Sequence, residues 1–215
     1  MSGRPLLSWA VATALGTATF SEVFVSTDDP EIAEIAKASG ARVPSLRPTE
    51  LSGDFTSTSE VMAFAVREAL EAIGSFELAC CIYPAAIGMN SADLTGALTA
   101  LTLATRPFCA SVVRYPHPVQ RSFALGPHFE IEFDDAAAAT QRTQDLPPRW
   151  HDAGQFYWGY TDAWLQQQPI LLNAIGFEVS ASRVVDIDTE DDWVRAELMH
   201  RSIAGQSTYE GVTCD

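Results

Sequence analysis

Two aspartates near the carboxyl end of the chain, Asp186 and Asp188, have the residue type and spacing of a metal site. The β-branched residues around them predict a buried strand over 184–187. Because alternate residues of a strand point to the same side, both carboxylates are predicted to lie on one face. Mg²⁺ binds through one or two protein carboxylates together with substrate phosphates. The pair therefore indicates nucleotide chemistry.

The same stretch of sequence also fits a purely structural role. Thr189 is a suitable N-cap, and Asp192, three residues later, has capping-box spacing at the start of a helix that continues through Trp193 and Leu198. In this interpretation the two aspartates only solvate the end of a strand. The local sequence leaves both interpretations open.

The composition favours a single domain and disfavours polyanionic partners. The chain has 215 residues, of which 47% are hydrophobic, and this is enough for one well-buried α/β domain. Its formal charge of -15 comes from 28 acidic and 13 basic residues. Such a charge repels a duplex nucleic acid or an anionic membrane surface, so neither is expected as a partner. A small anionic ligand is still compatible with this net charge if a metal and a few arginines neutralise the ligand.

The cysteines and the N-terminal residues bear on the cellular compartment. Cys80 and Cys81 are adjacent within an apolar run, and the chain has neither a CxxC pair nor a disulfide framework, which favours a reducing cytoplasm. Residues 4–18 resemble a short signal peptide, since Arg4 precedes an apolar stretch. The alternative is an amphipathic helix over 5–15. No later apolar stretch reaches membrane-spanning length.

Strands and helices alternate along the first half of the chain. Strands are predicted over 22–27, 78–83 and 108–115, and helices over 31–39, 57–74 and 90–104. Helix starts are marked by Asp29 before Pro30 and by the capping-box pair Ser57 and Glu60. The alternation predicts an α/β fold, with a mostly parallel sheet and helices on both faces.

From Pro116 onward the pattern changes to short strand-like pieces. Residues 116–159 are interpreted as a β-rich insertion within a single domain over 1–215, where it could cover a site or pair with a second subunit. A helix over 161–167, a strand-like 177–179, the aspartate segment and a final helix through His200 follow. Residues 205–215 are expected to form a loose tail.

Ligands of α/β sheets bind beyond the carboxyl ends of the strands. The loops after Thr27, Tyr83, Tyr115 and Ile187 are therefore predicted to line one crevice. Arg47 is a candidate for clamping a phosphate or a base carbonyl, because its guanidinium donates hydrogen bonds in pairs. It equally fits a surface arginine that Pro48 positions.

Residues 151–158 add further polar side chains. His151 and Asp152 could hold an imidazole tautomer for acid-base catalysis, although a structural histidine fits as well. Alternation predicts Gln155 and Tyr157 on one face of a strand. That face would suit a hydroxyl-rich sugar, and the alternative is a half-buried strand of the insertion.

Several blocks of the sequence together resemble the acylneuraminate cytidylyltransferases. The blocks are Val25-Ser-Thr-Asp-Asp-Pro, Arg47-Pro-x-x-Leu-Ser-x-Asp-Phe-Thr, His151-Asp-Ala-Gly-Gln-Phe-Tyr-Trp and Asp186-Ile-Asp-Thr-Glu-Asp-Asp-Trp. The resemblance covers nearly the whole chain. Within the family it is greatest to the pseudaminic acid branch, through blocks such as Tyr115-Pro-His-Pro-Val-Gln-Arg.

The resemblance implies a Rossmann-like fold of the nucleotidyltransferase type. It also implies transfer of CMP from CTP to a nine-carbon 2-keto sugar acid, with Mg²⁺ as cofactor and release of pyrophosphate. Asp186 and Asp188 fall where the family holds the metal for catalysis. The nucleotide-binding positions correspond to Arg47, Thr58 and Tyr83, the last of which holds nucleotide or sugar. The sugar-acid positions correspond to Gln120, Arg121, Arg142, Gln155 and Tyr157. A cytoplasmic homodimer is expected.

The chain departs from the family in two places. The family begins with a strand and a basic, glycine-containing loop that holds the CTP phosphates, whereas residues 1–7 align with the later step into the first helix. After Tyr83, the family's Ala-Thr-Ala-Pro-Phe-Leu is replaced by Pro84-Ala-Ala-Ile-Gly-Met. Both departures alter the region where the nucleotide would bind.

The missing loop leaves more than one hypothesis. In the first, the working protein carries the loop upstream of Met1 and is an active cytidylyltransferase. In the second, the chain is a truncated, catalytically inactive homologue that acts as a binding or regulatory subunit. A third hypothesis is a glycosyltransferase whose two aspartates hold a nucleotide sugar, but the Ser-Thr-Asp-Asp and Arg-Pro blocks disfavour it.

Overall fold

The structure, a computed structural model, describes residues 1–206. Its strands are β1 (Leu78–Ile82), β2 (Phe108–Arg114), β3 (Phe123–Leu125), β4 (Ile131–Phe133), β5 (Trp150–Tyr160) and β6 (Ala174–Glu178). Its helices are α1 (Leu6–Leu15), α2 (Pro30–Ala38), α3 (Thr58–Ile73), α4 (Ser91–Thr102), α5 (Ala136–Thr140), α6 (Thr161–Leu165) and α7 (Glu190–Gln206). Most of the predicted loose tail, from residue 207 onward, lies outside the described residues.

Four strands form the main sheet in the order β1-β5-β2-β6. β2 and β6 pair in parallel, whereas β5 is antiparallel to both β1 and β2. Three strands therefore run in one direction, and β5 alone opposes them. The predicted α/β class is confirmed, together with its predominantly parallel strand direction. The position of β5 between parallel strands was not predicted.

The β-rich insertion is smaller than the range 116–159 predicts. The β3–β4 hairpin forms a separate two-stranded sheet, but β5 belongs to the main sheet. The carboxyl-terminal boundary of the predicted insertion is therefore wrong. The physical reason is burial, because Phe156, Tyr157 and Trp158 are at most 4% exposed and their strand is paired on both edges.

Helices cover both faces of the sheet. On one face, Leu94 and Leu101 of α4 pack against Phe156 and Trp158 of β5. On the other face, α3 and α6 pack against residues that include Cys81, Phe108 and Tyr157. Cys80 belongs to the first cluster and Cys81 to the second. The two adjacent cysteines thus point to opposite faces, as a strand requires.

Local capping signals define the helix starts. Asp29 accepts hydrogen bonds from the N–H groups of Glu31 and Ile32 at the start of α2. Ser57 and Glu60 form both bonds of a capping box at the start of α3. These predictions are confirmed, as is the helix over 5–15, which is α1. No helix among the described residues is long and apolar enough to cross a membrane.

Two segments predicted as strands belong to no sheet. Residues 22–27 form one isolated parallel bridge, between Phe24 and Arg42. Residues 184–187 are extended but lack a ladder. Their apolar residues still point inward, since Val185 and Ile187 pack in a cluster with Met1. Both strand predictions are therefore wrong, because apolar and β-branched residues in a segment do not reveal whether a neighbouring strand is present to pair with it.

Candidate functional site

A line of contacting polar side chains crosses the end of β1. The hydroxyls of Thr58 and Tyr83 lie 2.8 Å apart and are hydrogen-bonded. The ring of Tyr83 meets that of Tyr157 edge to face, with centroids 5.6 Å apart. The Tyr157 hydroxyl donates to Oδ2 of Asp152 at 2.5 Å. Thr58 and Tyr83, which correspond to nucleotide positions, thus lie beside Tyr157, which corresponds to a sugar position.

Burial keeps both tyrosines protonated. Desolvation raises the pKa of Tyr83, although the hydrogen bond from Thr58 partly opposes this effect. Desolvation also raises the pKa of Tyr157, and the adjacent Asp152 carboxylate raises it further. Both phenols therefore remain neutral across the physiological pH range. The Tyr157 proton is donated to Asp152, whereas Tyr83 can donate to a ligand when Thr58 donates to it.

Gln155 connects this line of residues to the aspartate segment. Its side chain is 3% exposed, and its Nε2 donates to the carbonyl of Arg183 at 2.6 Å. Its backbone carbonyl accepts from the N–H of Tyr83 at 3.0 Å. Its Oε1 is buried without a hydrogen-bond donor among the described residues. Such an unsatisfied acceptor is costly, and a donor on a bound ligand could satisfy it.

Arg183 fixes the backbone just before the two aspartates. Its guanidinium binds both carboxylate oxygens of Asp93 in α4, with an NH2–Oδ1 distance of 3.0 Å, and also donates to the Gly88 carbonyl at 3.2 Å. Asp93 is 8% exposed, and its hydrogen bonds raise the pKa of Arg183. Only a glycine at position 88 lets the Arg183 backbone lie this close, since a Cβ there would be 2.0 Å from the Arg183 carbonyl oxygen.

Asp186 and Asp188 are exposed, and they alternate with the half-buried Val185 and Ile187. Both carboxylates therefore lie on the same side of the segment. Neither one forms a hydrogen bond or ion pair with another side chain of the described chain. Asp192 instead accepts the Thr189 hydroxyl at 2.7 Å, and Thr189 caps α7 by accepting from the N–H of Asp192 at 3.3 Å. The capping role and the exposed aspartate pair thus coexist.

The residues of the described range contain no group of three or more His, Cys, Asp or Glu side chains that could hold a metal. A cation at Asp186 and Asp188 would therefore have two protein carboxylates and would take its other ligands from substrate and water. This donor set fits Mg²⁺, which retains several waters and binds substrate phosphates.

Arg47 lies in the loop that leads into α3. Its NH2 is 3.2 Å from Oδ1 of Asp28, and its Nε donates to the Ser52 hydroxyl at 3.2 Å. The side chain is 20% exposed. The structure thus joins the loops that hold Asp28 and Arg47, but it also pairs the candidate phosphate-binding arginine with a carboxylate.

The other candidate sugar residues lie in the segment that carries the hairpin. Nε2 of Gln120 donates to the Pro147 carbonyl at 2.9 Å, and Arg121 donates to Thr143 and Ala139. Arg142 pairs with Asp145 at 2.8 Å. All hydrogen bonds of these three side chains to described residues stay within 120–147. The structure does not bring them into contact with Tyr157.

His151 does not pair with the side chain of Asp152. Its Nδ1 lies 2.9 Å from the backbone carbonyl of Asp152, and its ring packs against Tyr115 with centroids 4.6 Å apart. The Asp152 carboxylate instead accepts the Tyr157 hydroxyl. Of the two interpretations of His151, the structure favours the structural one, because adjacent residues of a strand point to opposite sides and the two side chains do not meet.

Sequence reasoning missed the roles of Arg183, Asp93 and Asp152. Arg183 and Asp93 are 90 positions apart, and no local pattern links them. The pairing of Asp152 with Tyr157 spans five positions across an irregular part of β5, where its register with β2 shifts. The two-residue alternation of an ideal strand does not predict this contact.

Comparisons with known proteins show the family of the chain. Residues 1–179 match the profile of the cytidylyltransferase family. A pseudaminic acid cytidylyltransferase of Campylobacter jejuni serotype O:2 is 32% identical over 200 residues, which cover 93% of this chain and 86% of that protein. N-acylneuraminate cytidylyltransferase B of Danio rerio is 29% identical over 201 residues, which cover 92% of this chain and 45% of that protein.

A solved structure supports the fold. The structure of CMP:2-keto-3-deoxy-manno-octonic acid synthetase complexed with CTP superposes with a TM-score of 0.63 at 17% identity, covering 93% of this chain and 89% of that one. The family profile extends over most of the chain, although it ends before Asp186. The chain belongs to the cytidylyltransferase family and is a nucleotidyltransferase of the CTP-using type.

Proposed function

We propose that the protein transfers CMP from CTP to pseudaminic acid or a related nonulosonic acid and releases pyrophosphate. One observation carries the proposal: Thr58 contacts Tyr83, Tyr83 contacts Tyr157, and Gln155 donates to the backbone carbonyl of Arg183, three residues before Asp186. The proximity of two candidate nucleotide positions to two candidate sugar positions, next to the segment that leads to the candidate metal ligands, supports the proposal. The likeness to relatives named for pseudaminic acid supports this choice of sugar.

Asp186 and Asp188 are proposed to hold Mg²⁺. When bound, the ion would neutralise charge on the CTP phosphates and favour displacement at the α-phosphorus. The protein's own contribution is positional, because Arg183 and Gln155 fix the segment that carries both carboxylates. No covalent nucleophile is required, since in-line phosphoryl transfer depends mainly on positioning and charge neutralisation.

The neutral tyrosines and Gln155 are proposed to orient the substrates. Tyr83 can donate to a hydroxyl or carbonyl oxygen, and the Tyr157 oxygen can accept from a hydroxyl while its own proton stays on Asp152. The unsatisfied Oε1 of Gln155 can accept from a hydroxyl or amide N–H. Arg121 and Arg142 are candidates for the sugar carboxylate, which a guanidinium can bind through two hydrogen bonds. Binding by Arg142 would require it to leave Asp145.

Pyrophosphate release tests this proposal. The protein is incubated with CTP, Mg²⁺ and either pseudaminic acid or N-acetylneuraminic acid, with UTP replacing CTP as a control. We expect pyrophosphate and a CMP-sugar with CTP, at a higher rate with pseudaminic acid. Release of a nucleoside diphosphate from a nucleotide sugar would instead indicate a glycosyltransferase.

An inactive homologue that binds the substrates is the second candidate. The observation that favours it is the pairing of Arg47, the candidate phosphate-binding arginine, with the carboxylate of Asp28. This candidate predicts CTP binding without turnover by chain 1–215. Turnover by the same purified chain would exclude it.

We also propose a cytoplasmic homodimer. Cys80, Cys81 and Cys109 are free thiols, as a reducing compartment allows. The β3–β4 hairpin exposes apolar side chains, including Leu125 at 59% and Phe129 at 81%. A two-stranded hairpin is marginally stable alone, and an exposed apolar patch is typical of an interaction surface.

A further inference from the structure

One face of the main sheet is covered near the starts of β2 and β6 and open near their carboxyl ends. Ala110 of β2 and Ala174 of β6 belong to the cluster that includes residues of α3 and α6. Alternation places Arg114 and Glu178, farther along the same strands, on this same face. Both of these side chains are exposed. Ligands of α/β sheets bind beyond the carboxyl ends of the strands, so the open part of the face lies where a ligand is expected.

The register of the sheet groups side chains of β2, β5 and β6 on this open face. Trp150 of β5 pairs with Arg114 of β2. Val112 of β2 pairs with Asp152 of β5 on one side and with Glu178 of β6 on the other. Paired residues of neighbouring strands project to the same face of a sheet. These side chains therefore form one group around Val112.

The indole of Trp150 lies above β2. Its Nε1 donates to Oε2 of Glu178 at 2.8 Å. Because β5 and β6 lie on opposite sides of β2, about 9–10 Å apart, the two side chains must meet above the strand between them. Trp150 is nevertheless 44% exposed. Part of the ring surface is thus open to solvent, while the hydrogen bond to Glu178 fixes its orientation.

Asp152 lies next to Trp150 on this face and has unused acceptor capacity. Its Oδ2 accepts from the Tyr157 hydroxyl at 2.5 Å, and its Oδ1 accepts from the N–H of Gly154 at 2.9 Å. An ionised carboxylate offers about four lone-pair positions. Within residues 1–206, no cationic side chain pairs with Asp152. The carboxylate is therefore held in place and can accept a further hydrogen bond from a ligand.

Arg114 adds a hydrogen-bond donor to the group. It is exposed, and its guanidinium bonds to no other residue of the described part of the chain. A ligand hydroxyl would use only the acceptor of this group, and a cationic amine would be repelled by Arg114. A secondary amide uses the whole group, because its N–H donates, its carbonyl accepts, and its planar surface packs against an aromatic ring.

We propose that Trp150, Asp152 and Arg114 form a subsite for an N-acyl group of the ligand. The amide N–H donates to Asp152, the acyl carbonyl accepts from Arg114, and the acyl chain packs against the indole. Glu178 is a positioning residue, since it acts through the indole that it holds. The subsite rests on the proposed function for its ligand, because the sugar acid is the substrate that carries an acylamino group.

Binding without turnover tests the subsite separately from the proposed reaction. Chain 1–215 is titrated with pseudaminic acid, and with analogues in which each acylamino group in turn is replaced by a hydroxyl or by a free amine. CMP and Mg²⁺ are present throughout, so that the nucleotide position can be occupied although no pyrophosphate can be released. Isothermal titration calorimetry gives the dissociation constants.

We expect replacement of one acylamino group to weaken binding by about tenfold or more, since the stacking and both hydrogen bonds of the amide are lost together. Trp150→Leu should weaken binding of pseudaminic acid by about fivefold, and binding of that hydroxyl analogue by less than about twofold. Trp150→Phe should recover part of the affinity, because it retains an aromatic ring.

Tyr115→Leu is the matched control. Tyr115 is 38% exposed and adjoins Arg114, but alternation places its ring on the opposite face, where it packs against His151. Its substitution should leave the preference for the acylated ligand unchanged. The role of Glu178 is checked in the same way: Glu178→Leu should reproduce much of the loss in Trp150→Leu, whereas Glu178→Gln keeps an acceptor for the indole N–H and should keep the affinity.

A second measurement needs no variant. In saturation-transfer NMR of the unsubstituted chain, irradiation of aromatic protons should transfer saturation most strongly to the methyl protons of one N-acyl group. Stronger transfer to the ring protons of the sugar contradicts the subsite. So do equal affinities for the acylated and hydroxyl ligands, tighter binding of a free amine, and equal losses in Trp150→Leu and Tyr115→Leu.

The results also separate the subsite from the proposed reaction. A preference for the acylated ligand without turnover of CTP would sustain the subsite and refute the reaction. Turnover of CTP without that preference would overturn the subsite alone. Absence of binding by every sugar acid would overturn both.

Discussion

Asp188 presents one of two exposed carboxylates, and its charge can be removed with almost no change in side-chain size. We expect Asp188→Asn to lower the rate of pyrophosphate release by about 100-fold or more, because a catalytic metal contributes several kcal/mol of charge stabilisation in the transition state. The measurement is initial rate against Mg²⁺ concentration, in whichever form of the protein turns over CTP.

Asp191 provides the matched control. It is an exposed acid in the first turn of α7, close in sequence to the proposed metal ligands. Asp191→Asn should change the rate by no more than about twofold, since surface charges are screened by salt. Full activity of Asp188→Asn at high Mg²⁺, or an equal loss in both variants, would contradict the metal assignment.

Tyr157 stabilises the carboxylate of Asp152. The Tyr157 hydroxyl donates to Oδ2 at 2.5 Å, and the N–H of Gly154 donates to Oδ1 at 2.9 Å. We expect Tyr157→Phe to lower the free energy of unfolding by about 1–3 kcal/mol, because a half-buried charged acceptor loses a hydrogen bond. Urea unfolding at pH 7 measures this free energy in both proteins. Additive losses in the double variant with Asp152→Asn would show that the two side chains are not coupled.

The buried tyrosines and cysteines determine how the stability of the fold depends on pH in alkaline solution. Burial raises the pKa of Tyr157 and Tyr83, and it raises the pKa of Cys81 to about 12 and that of Cys109 to about 11. Each group therefore holds its proton more tightly in the folded than in the unfolded state. Their contribution is complete below the unfolded values, about 9 for a thiol and about 10 for a phenol, and is lost as pH rises above them.

We expect the urea midpoint to fall between about pH 9 and pH 11 as a result. Tyr157→Phe should make this fall shallower, since one of the four groups no longer ionises. A midpoint that stays constant to pH 11, or a fall of equal steepness in the variant, would contradict the assigned direction of the pKa shifts.

At the scale of elements, Arg183 joins three parts of the fold that are remote in sequence. It binds Asp93 in α4 and Gly88 in the loop after β1, and its carbonyl accepts from Gln155 in β5. We expect Arg183→Gln to lower the free energy of unfolding by about 3 kcal/mol, because Asp93 is left buried without its cation. The half-saturating Mg²⁺ concentration should also rise, since the aspartate segment loses its anchor.

Arg195→Gln is the control for Arg183→Gln. Arg195 pairs with Asp192 across one helical turn, and its side chain is 67% exposed. Such a surface pair contributes about 0.5 kcal/mol or less. If the two variants lose equal stability, or if Arg183→Gln leaves the Mg²⁺ dependence unchanged, Arg183 does not position the aspartates.

Local signals explain which elements the sequence could predict. Asp29, and Ser57 with Glu60, start helices through contacts within three residues, and these starts were predicted correctly. The pairing of β5 with β1 and β2 joins residues far apart in sequence, and no periodicity encodes it. The same limit applies to Arg183 and Asp93, whereas the alternation around Asp186 is local and was recognised.

The proposed homodimer makes a prediction about the hairpin. Leu125 and Phe129 are exposed at the β3–β4 end of the molecule. We expect a dimer in sedimentation equilibrium, and a monomer for the double variant Leu125→Glu, Phe129→Glu, since four acidic groups would then face each other across a two-fold interface. The isolated surface residue Leu103, 83% exposed after α4, gives the control Leu103→Glu, which should remain dimeric. A monomeric unsubstituted protein, or dissociation by the control alone, would exclude the hairpin as the dimer contact.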